Sequence, residues 1–305
     1  MKVANNKLQY GARRCVLAGL ALMLAACAGI GPEPAHPPSQ PVVKAAPKPP
    51  RIALALGGGA ARGFAHIGVL QVLEEQGIKP DLIVGTSAGS VVATLYAAGK
   101  SPTELGSMAM TMDESSITDW VFPGRSVLKG EALAKFIRTN TGGRQIEQMR
   151  IPLGIVATDL NSGQPILFRR GDPGVAVRAS SSVPAVFEPV KIGGREYVDG
   201  GLVSPIPVRY ARSMGADIVI AVDISAIPEG QPTKGPIDIL LQTFNIMGHS
   251  ISQYELQEAD VVMRPKLAGV GSADFSARRL SILAGREAAL SELAALKQKI
   301  AAKNR

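Results

Sequence analysis

Ser87 and Asp199 are the two side chains in this 305-residue sequence whose types and settings suit nucleophilic chemistry. Ser87 lies in GTSAG (85–89), after the apolar run DLIVG (81–85) and at the start of AGSVVATLYAAG (88–99). The first reads as a buried strand and the second as a helix closed by Gly99. A serine on so sharp a strand-to-helix turn is presented for attack on a carbonyl, and Gly85 and Gly89 remove side chains that would clash across it. The helix opening near Ala88 points its positive end at Ser87.

An activated serine needs a base. His249 is the one histidine far enough downstream for a serine–acid–histidine order, but it sits in NIMGHSISQ, inside a helical stretch, and reads as structural. Asp199, in REYVDGGLVSPIPV, is the better candidate. An extended run ends at Val198, and Gly200 and Gly201 let the backbone turn around the carboxylate. Asp-Gly-Gly is also an ordinary hairpin turn. A free aspartate titrates near ~3.9, so it serves as a base at neutral pH only when buried beside the serine in a water-poor site.

A third feature is LALGGGAARGFAHIGVL (54–70), where three glycines follow a short apolar run. So much bare backbone suits a tight turn, a phosphate cradle, or N–H groups aimed at a developing negative charge. A nucleotide loop fails on detail. There is no G-x-x-x-x-G-K-[ST], and counting from Gly57 the third glycine of G-x-G-x-x-G falls on Arg62. No acidic residue ends the second strand to hold a ribose.

The elements that must position these groups alternate. RIALAL (51–56) reads as a strand, GFAHIGVLQVLEEQG (63–77) as a helix, and strand 81–85 and helix 88–99 follow with short joints. That order implies a parallel sheet covered by helices. Residues 100–150 are less legible: Trp120 and VFPGR read as loop, and KGEALAKFIRTN (129–140) as helix. Further strands are expected at 153–160, 166–170, 217–225 (a central strand) and 259–265, with helices at 174–180 and near 235–258. The tail 276–303 places Leu283, Leu290, Leu293, Leu296 and Ile300 at helical spacing. Such an amphipathic helix either packs on the body, the favoured reading, or lies on a membrane. The body reads as one α/β domain over 51–305.

The N-terminus is different in kind. Lys2, Lys7, Arg13 and Arg14 precede the apolar stretch CVLAGLALMLAA (15–26), a pattern expected of a signal peptide over residues 1–26. The stretch 15–30 is shorter than the ~20 residues a spanning helix needs. Leu24-Ala25-Ala26-Cys27 resembles the lipobox of bacterial lipoproteins, which would leave Cys27 as an acylated first residue; an ordinary secretory cut nearby is the alternative. Ala28 after the cysteine resembles outer-membrane sorting, so the expected location is the cell envelope, at the periplasmic face of the outer membrane. Residues 27–50 hold eight of the 22 prolines and read as a tether reaching on the order of 70 Å. Without the four cations of 1–26, the formal charge falls from +8 to +4. Nucleic acid is therefore not an expected partner. With two cysteines and three histidines, neither a zinc site nor any other metal or cofactor is expected.

LGGGAARGFAHIGVL, VGTSAGS, RASSSVPAVFEPV and YVDGGLVSPIPV, in that order and spacing, resemble the patatin-like phospholipase family, its bacterial members most closely. The likeness extends to ATDLNSG and GADIVIAVDIS and spans about 51–265. It implies a three-layer α/β/α sandwich with a mostly parallel sheet, and hydrolysis of lipid acyl esters by a Ser–Asp dyad. Matched block by block, Ser87 is the nucleophile and Asp199 the base, so no histidine is required. Gly58, Gly59 and Ala60 match the loop that forms the oxyanion hole, with Arg62 and Gly63 completing the motif. Gly85, Gly89, Gly200 and Gly201 match the glycines around the dyad. Backbone N–H groups preplaced at an oxyanion contribute ~3–4 kcal/mol each to the transition state. One departure stands out: the family usually has glycine where this chain has Ala60, and alanine restricts φ. Arg62 either braces this loop or is a solvated helix-start residue.

An envelope location makes phospholipids or lysophospholipids, and the membrane reached through Cys27, the expected partners. Two alternatives stay open, a hydrolase of small soluble acyl esters and a non-catalytic envelope lipoprotein that kept the fold. Oligomeric state is not legible.

Overall fold

The computed structural model describes residues 49–119, 126–229, 233–271 and 273–304. The expected signal peptide, Cys27 and most of the tether lie outside the described residues, as does the expected loop from Trp120 to Arg125.

The chain begins with β1 (Ile52–Leu56), a 3-10 turn (Ala60–Phe64) and α1 (Ala65–Glu75). β2 (Leu82–Thr86) and α2 (Ala88–Ala97) repeat the unit, joined at Ser87. Helices α3 (Pro102–Thr111) and α4 (Glu131–Asn140) lead to β3 (Leu153–Asp159) and β4 (Pro165–Phe168). α5 (Pro173–Ser180) precedes the hairpin of β5 (Val190–Ile192) and β6 (Arg195–Asp199). α6 (Val208–Ser213), β7 (Ile218–Val222), α7 (Pro236–Glu255), β8 (Val261–Met263) and α8 (Arg278–Lys303) complete the body.

β3, β2, β1, β7 and β8 run parallel in that order, while β4, β5 and β6 are antiparallel additions on the β3 side. Side chains alternate between two cores. Leu54, Leu56, Ile83, Ile220 and Val222 pack with α1, α2 and α8 on one face. Ala53, Ala55, Val84, Val219 and Ala221 pack with α6 and Leu256 on the other. Strands buried on both faces show no polar alternation, which is why each reads as a continuous apolar run. The layers are those expected. One detail differs: the strand expected at the centre, β7, lies between β1 and the edge strand β8, and helices on both faces rather than a central place account for its burial.

The tail helix α8 packs on the body through part of the expected face: Leu296 is fully buried and Leu293 and Ile300 pack against the core, but the contact with α1 is made by small residues. Leu283 and Leu290 are about half exposed, while Ser281, Ala284, Gly285, Ala288 and Ala289 are buried with Leu296. A methyl at Gly68 of α1 would overlap the Ile282 carbonyl, and one at Gly285 the Ala65 carbonyl. Backbones this close admit only small residues, so small residues form the contact face. Arg286 pairs with Glu75 through two hydrogen bonds (2.7 and 3.0 Å) at its margin.

The helix α3 was not anticipated, yet it carries a legible signal. Ser101 accepts from the Glu104 N–H (3.1 Å) and Glu104 accepts from the Ser101 N–H (2.8 Å), a capping box ahead of Pro102.

Candidate active site

The sheet register brings the two candidate residues together. β3 carries β4 along one edge, through residues 155–158. Its other edge is shared: β2 pairs with residues 153–156 and β6 with 157–159, running in opposite directions. The two strands therefore meet end to end. Thr86 registers with Val156, and Asp199 with the next residue, Ala157. The turn after β2 thus lies against the carboxylate that ends β6.

Ser87 occupies that turn at φ 51° and ψ −123°. A non-glycine residue there stores on the order of 1–3 kcal/mol of strain, held by its surroundings. Its N–H donates to Ser180 Oγ (2.9 Å), and Ser180 donates on to Val156 O. Its carbonyl accepts from the Ser90 N–H (2.8 Å) and hydroxyl (2.6 Å). The glycines on either side are sterically required. A methyl at Gly85 would come within 2.5 Å of Ser90 Cα, and one at Gly89 would overlap the Leu56 carbonyl. Gly63 is needed for the same reason, since its Cβ would lie 2.8 Å from Ala88 Cβ.

Asp199 is fastened through its backbone. Its N–H donates to Ser182 O (2.9 Å) and its carbonyl accepts from Thr158 Oγ1 (2.8 Å). Oδ1 accepts from the Gly201 N–H (2.7 Å), while Oδ2 is buried without an aligned hydrogen bond. Burial pushes the carboxyl up to about 6; the Ser87 hydroxyl and the Gly201 amide, which favour the charged form, hold it from going higher. Gly200 has no room for a side chain, because a methyl would overlap Val156 O.

Ser87 and Asp199 line one cavity of about 190 Å³ with Gly58, Gly59, Ala60, Arg62 and Gly201. The loop amides do not all match expectation. Gly58 N–H already donates to Pro205 O (3.0 Å), and Arg62 N–H donates to Gly59 O (3.1 Å). These two backbone donors are engaged, so Gly58 contributes closeness instead: its Cβ would lie 3.2 Å from Ser87 Cβ. The N–H groups of Gly59, Ala60 and Ala88 hold no hydrogen bond among the described residues. Ala88 was not among the expected donors, although the residue after a serine on such a turn is a natural one. Ala60 takes φ 50°, the left-handed conformation that glycine adopts freely.

Of the two alternatives for Arg62, bracing holds. Its side chain is buried, with Nε donating to Gly59 O (3.2 Å). Burial lowers it to about 10 while Asp223 pulls it back up, so the guanidinium stays charged at neutral pH. Beneath the loop, fully buried His66 is depressed by desolvation to about 4, so its neutral ring donates from Nε2 to Gly57 O (2.9 Å). His249 lines the cavity from α7 with Leu241 and Phe244, and forms no hydrogen bond to Ser87 or Asp199.

Three positioning groups escaped the sequence reading. Ser180 and Ser182 lie in the quoted block RASSSVPAVFEPV, whose serines carry no individual signature. Ser204 lies in YVDGGLVSPIPV, and its carbonyl accepts from Thr86 Oγ1 (2.8 Å). No group of three or more His, Cys, Asp or Glu suited to a metal occurs among the described residues.

The comparisons with known proteins bear on the family and the fold. The model of the family described as patatin-like phospholipase matches residues 54–212. An uncharacterized NTE family protein of Mycobacterium tuberculosis is 37% identical over 206 residues, covering 67% of this chain and 57% of the relative. Patatin-like phospholipase domain-containing protein 6 of Homo sapiens is 37% identical over 186 residues, 58% of this chain and 14% of that protein. The chain thus spans little more than half of the mycobacterial relative and a small part of the human one. VipD from Legionella pneumophila shares the fold at a TM-score of 0.55 and 12% identity, over 80% of this chain and 67% of its own. With its family match running from within β1 into α6, over more than half of its length, this chain belongs to the patatin-like phospholipase family.

Proposed function

We propose that this protein is a serine hydrolase of lipid acyl esters, with Ser87 as nucleophile and Asp199 as its base. One observation carries the reading: a strained serine and a buried carboxylate with an unpaired oxygen share a cavity with free backbone amides. Asp199 removes the Ser87 proton as Oγ attacks the ester carbonyl. The tetrahedral oxyanion is taken up by the N–H groups of Gly59, Ala60 and Ala88, with the α2 N-terminus behind them. Collapse expels the alcohol, which takes the proton from Asp199, and leaves an acyl-serine. Water, deprotonated by the same carboxylate, adds to the acyl carbonyl, and collapse breaks the acyl–Oγ bond, freeing the fatty acid as Ser87 Oγ takes the proton back from Asp199. Arg62 supplies fixed positive charge beside this chemistry.

The expected substrates are phospholipids or lysophospholipids. A cavity of about 190 Å³ is smaller than the ~300–1,000 Å³ of pockets that engulf a whole ligand, so it seats an ester and part of one chain. Leu241 and Phe244 of α7 line it, and Ile239, Ile246 and Met247 on the same helix are about half exposed. An apolar helix at the mouth suits a substrate that remains partly in a bilayer. The test is fatty-acid release by the full chain from vesicles of diacyl and monoacyl phospholipid. Release from either supports the reading and names the substrate class; hydrolysis confined to short soluble esters would favour the small-ester alternative. His249→Ala should keep activity within about threefold in this assay. A loss of ~10³-fold or more by a folded His249→Ala protein would instead indicate a histidine base.

We further propose that residues 1–26 are removed and that Cys27 is acylated, holding the enzyme at the periplasmic face of the outer membrane. Among the described residues no helix is long and apolar enough to cross a membrane. Cys27→Ser should shift the protein from the membrane to the soluble fraction on cell fractionation. Unchanged membrane association would reject acylation as the sole anchor.

A further inference from the structure

Glu255, the last residue of α7, is a buried carboxylate (8% exposed) with no part in the chemistry described above. Oε1 accepts from Ser204 Oγ, and Oε2 accepts from the Ile206 N–H (2.9 Å). One side chain therefore grips both ends of the tripeptide Ser204–Pro205–Ile206. Two carbonyls of that tripeptide bond instead to segments of the active site, while the Ile206 carbonyl accepts locally from the Val208 N–H (2.7 Å). Ser204 O accepts from Thr86 Oγ1 (2.8 Å), next to Ser87, and Pro205 O accepts from Gly58 N–H (3.0 Å), at the start of the free-amide loop. The Ser204 N–H donates to Gly200 O (2.9 Å), beside Asp199. Nucleophile turn, oxyanion loop and base segment all hang on the same three residues.

We propose that Glu255 is a positioning residue for the Ser87 site, acting through residues 204–206 to set the Gly58 loop and the Thr86–Ser87 turn in register. The inference rests on the reading of Ser87 as nucleophile. Its groundwork is geometric. Pro205 has no N–H, and its carbonyl is committed to Gly58, so the tripeptide is held from behind by Glu255. Arg209 Nε approaches the carboxylate at 3.7 Å, and Glu258 and Tyr210 also face it. Burial pushes Glu255 up to about 7, with the bonds from Ser204 and Ile206 and the charge of Arg209 opposing that rise. Both protonation states can keep the grip, because the Ser204 hydroxyl rotates to donate or to accept. Shape, more than charge, is what the site requires, and a glutamine should supply it.

The test compares Glu255→Ala and Glu255→Gln in the full chain, with p-nitrophenyl butyrate as a monomeric substrate and a fluorophosphonate as a probe of Ser87. Glu255→Ala should lower kcat and the labelling rate by ~10- to 100-fold, with KM within about twofold, since small misplacements of reacting groups have effects of this size. Glu255→Gln should recover most of that loss. Both variants should retain the acid limb near pH 6, which belongs to Asp199. Ser204→Ala, which removes one of the two bonds without a charge change, should fall between them. The proposal is overturned if Glu255→Ala turns over and labels like the parent. It is equally overturned if the loss in Glu255→Ala only follows a reduced folded fraction in thermal melts. Failure of the unaltered protein to label at Ser87 would reject the nucleophile assignment itself, a result distinct from either.

Discussion

Ser87→Ala is expected to lower fatty-acid release by about 10⁵- to 10⁶-fold, the loss typical of removing a serine nucleophile from an otherwise intact site. The fold should survive, since the hydrogen bonds that hold the turn run through the Ser87 N–H and carbonyl, while its hydroxyl faces only Asp199. Alanine inherits the positive φ and its strain. Ser87→Gly should therefore be equally inactive yet more stable by ~1 kcal/mol, because glycine adopts this backbone freely. Activity assays beside thermal melts check both. Retained hydrolysis by a folded Ser87→Ala protein would falsify the nucleophile assignment.

Asp199→Asn should lower kcat by about 10³- to 10⁴-fold, as an amide of the same shape cannot accept the serine proton. The same substitution should stabilise the protein. Burial raises the native carboxyl to about 6, against ~3.9 in an unfolded chain, a difference worth about 3 kcal/mol. The native state binds this proton more tightly, so the stability it confers is complete below pH ~4 and lost as pH rises through about 6. At pH 7 to 8 the ionised carboxylate is a standing penalty, its Oδ2 buried and unpaired. Asparagine removes the charge and keeps the acceptor for Gly201 N–H. A gain of ~2–3 kcal/mol at pH 7.5, shrinking toward pH 4, is the expected calorimetric result. Activity of the unaltered enzyme has the opposite slope: kcat/KM should fall as pH drops through about 6 and the base becomes protonated. Function and stability are thus opposed at one residue.

The oxyanion loop illustrates a different division. Its glycines were visible, and so was the meaning of bare backbone after a strand. Which amides are free was not, because that depends on acceptors far away in sequence: Pro205 O engages Gly58, and Gly59 O engages Arg62. Ala88 joined the free donors because it is the first residue of α2, where the N–H has no intrahelical acceptor. The same holds for α8. Of the residues at helical spacing, Leu293, Leu296 and Ile300 pack while Leu283 and Leu290 stay half exposed, because Gly68 and Gly285 let two backbones nearly touch and small residues take over the contact there. Spacing reports periodicity; it does not report how near the partner comes.

By itself the sequence determined the layered α/β order, because strands buried on both faces and helices buried on one have distinct periods. It also determined the strand–serine–helix turn, through glycines that neighbouring atoms make obligatory. The order of four motif blocks identified the family. Only the tertiary structure decided that β2 and β6 abut on one edge of β3, which carries Asp199 to Ser87 across 112 residues of chain. It alone assigned the burial that raises Asp199 to about 6 and seated Glu255 behind the loop it grips. The physical reason is common to all of these. Local propensity is written in neighbouring residues, whereas burial, strand abutment and hydrogen-bond pairing arise between segments that meet only after the chain has folded.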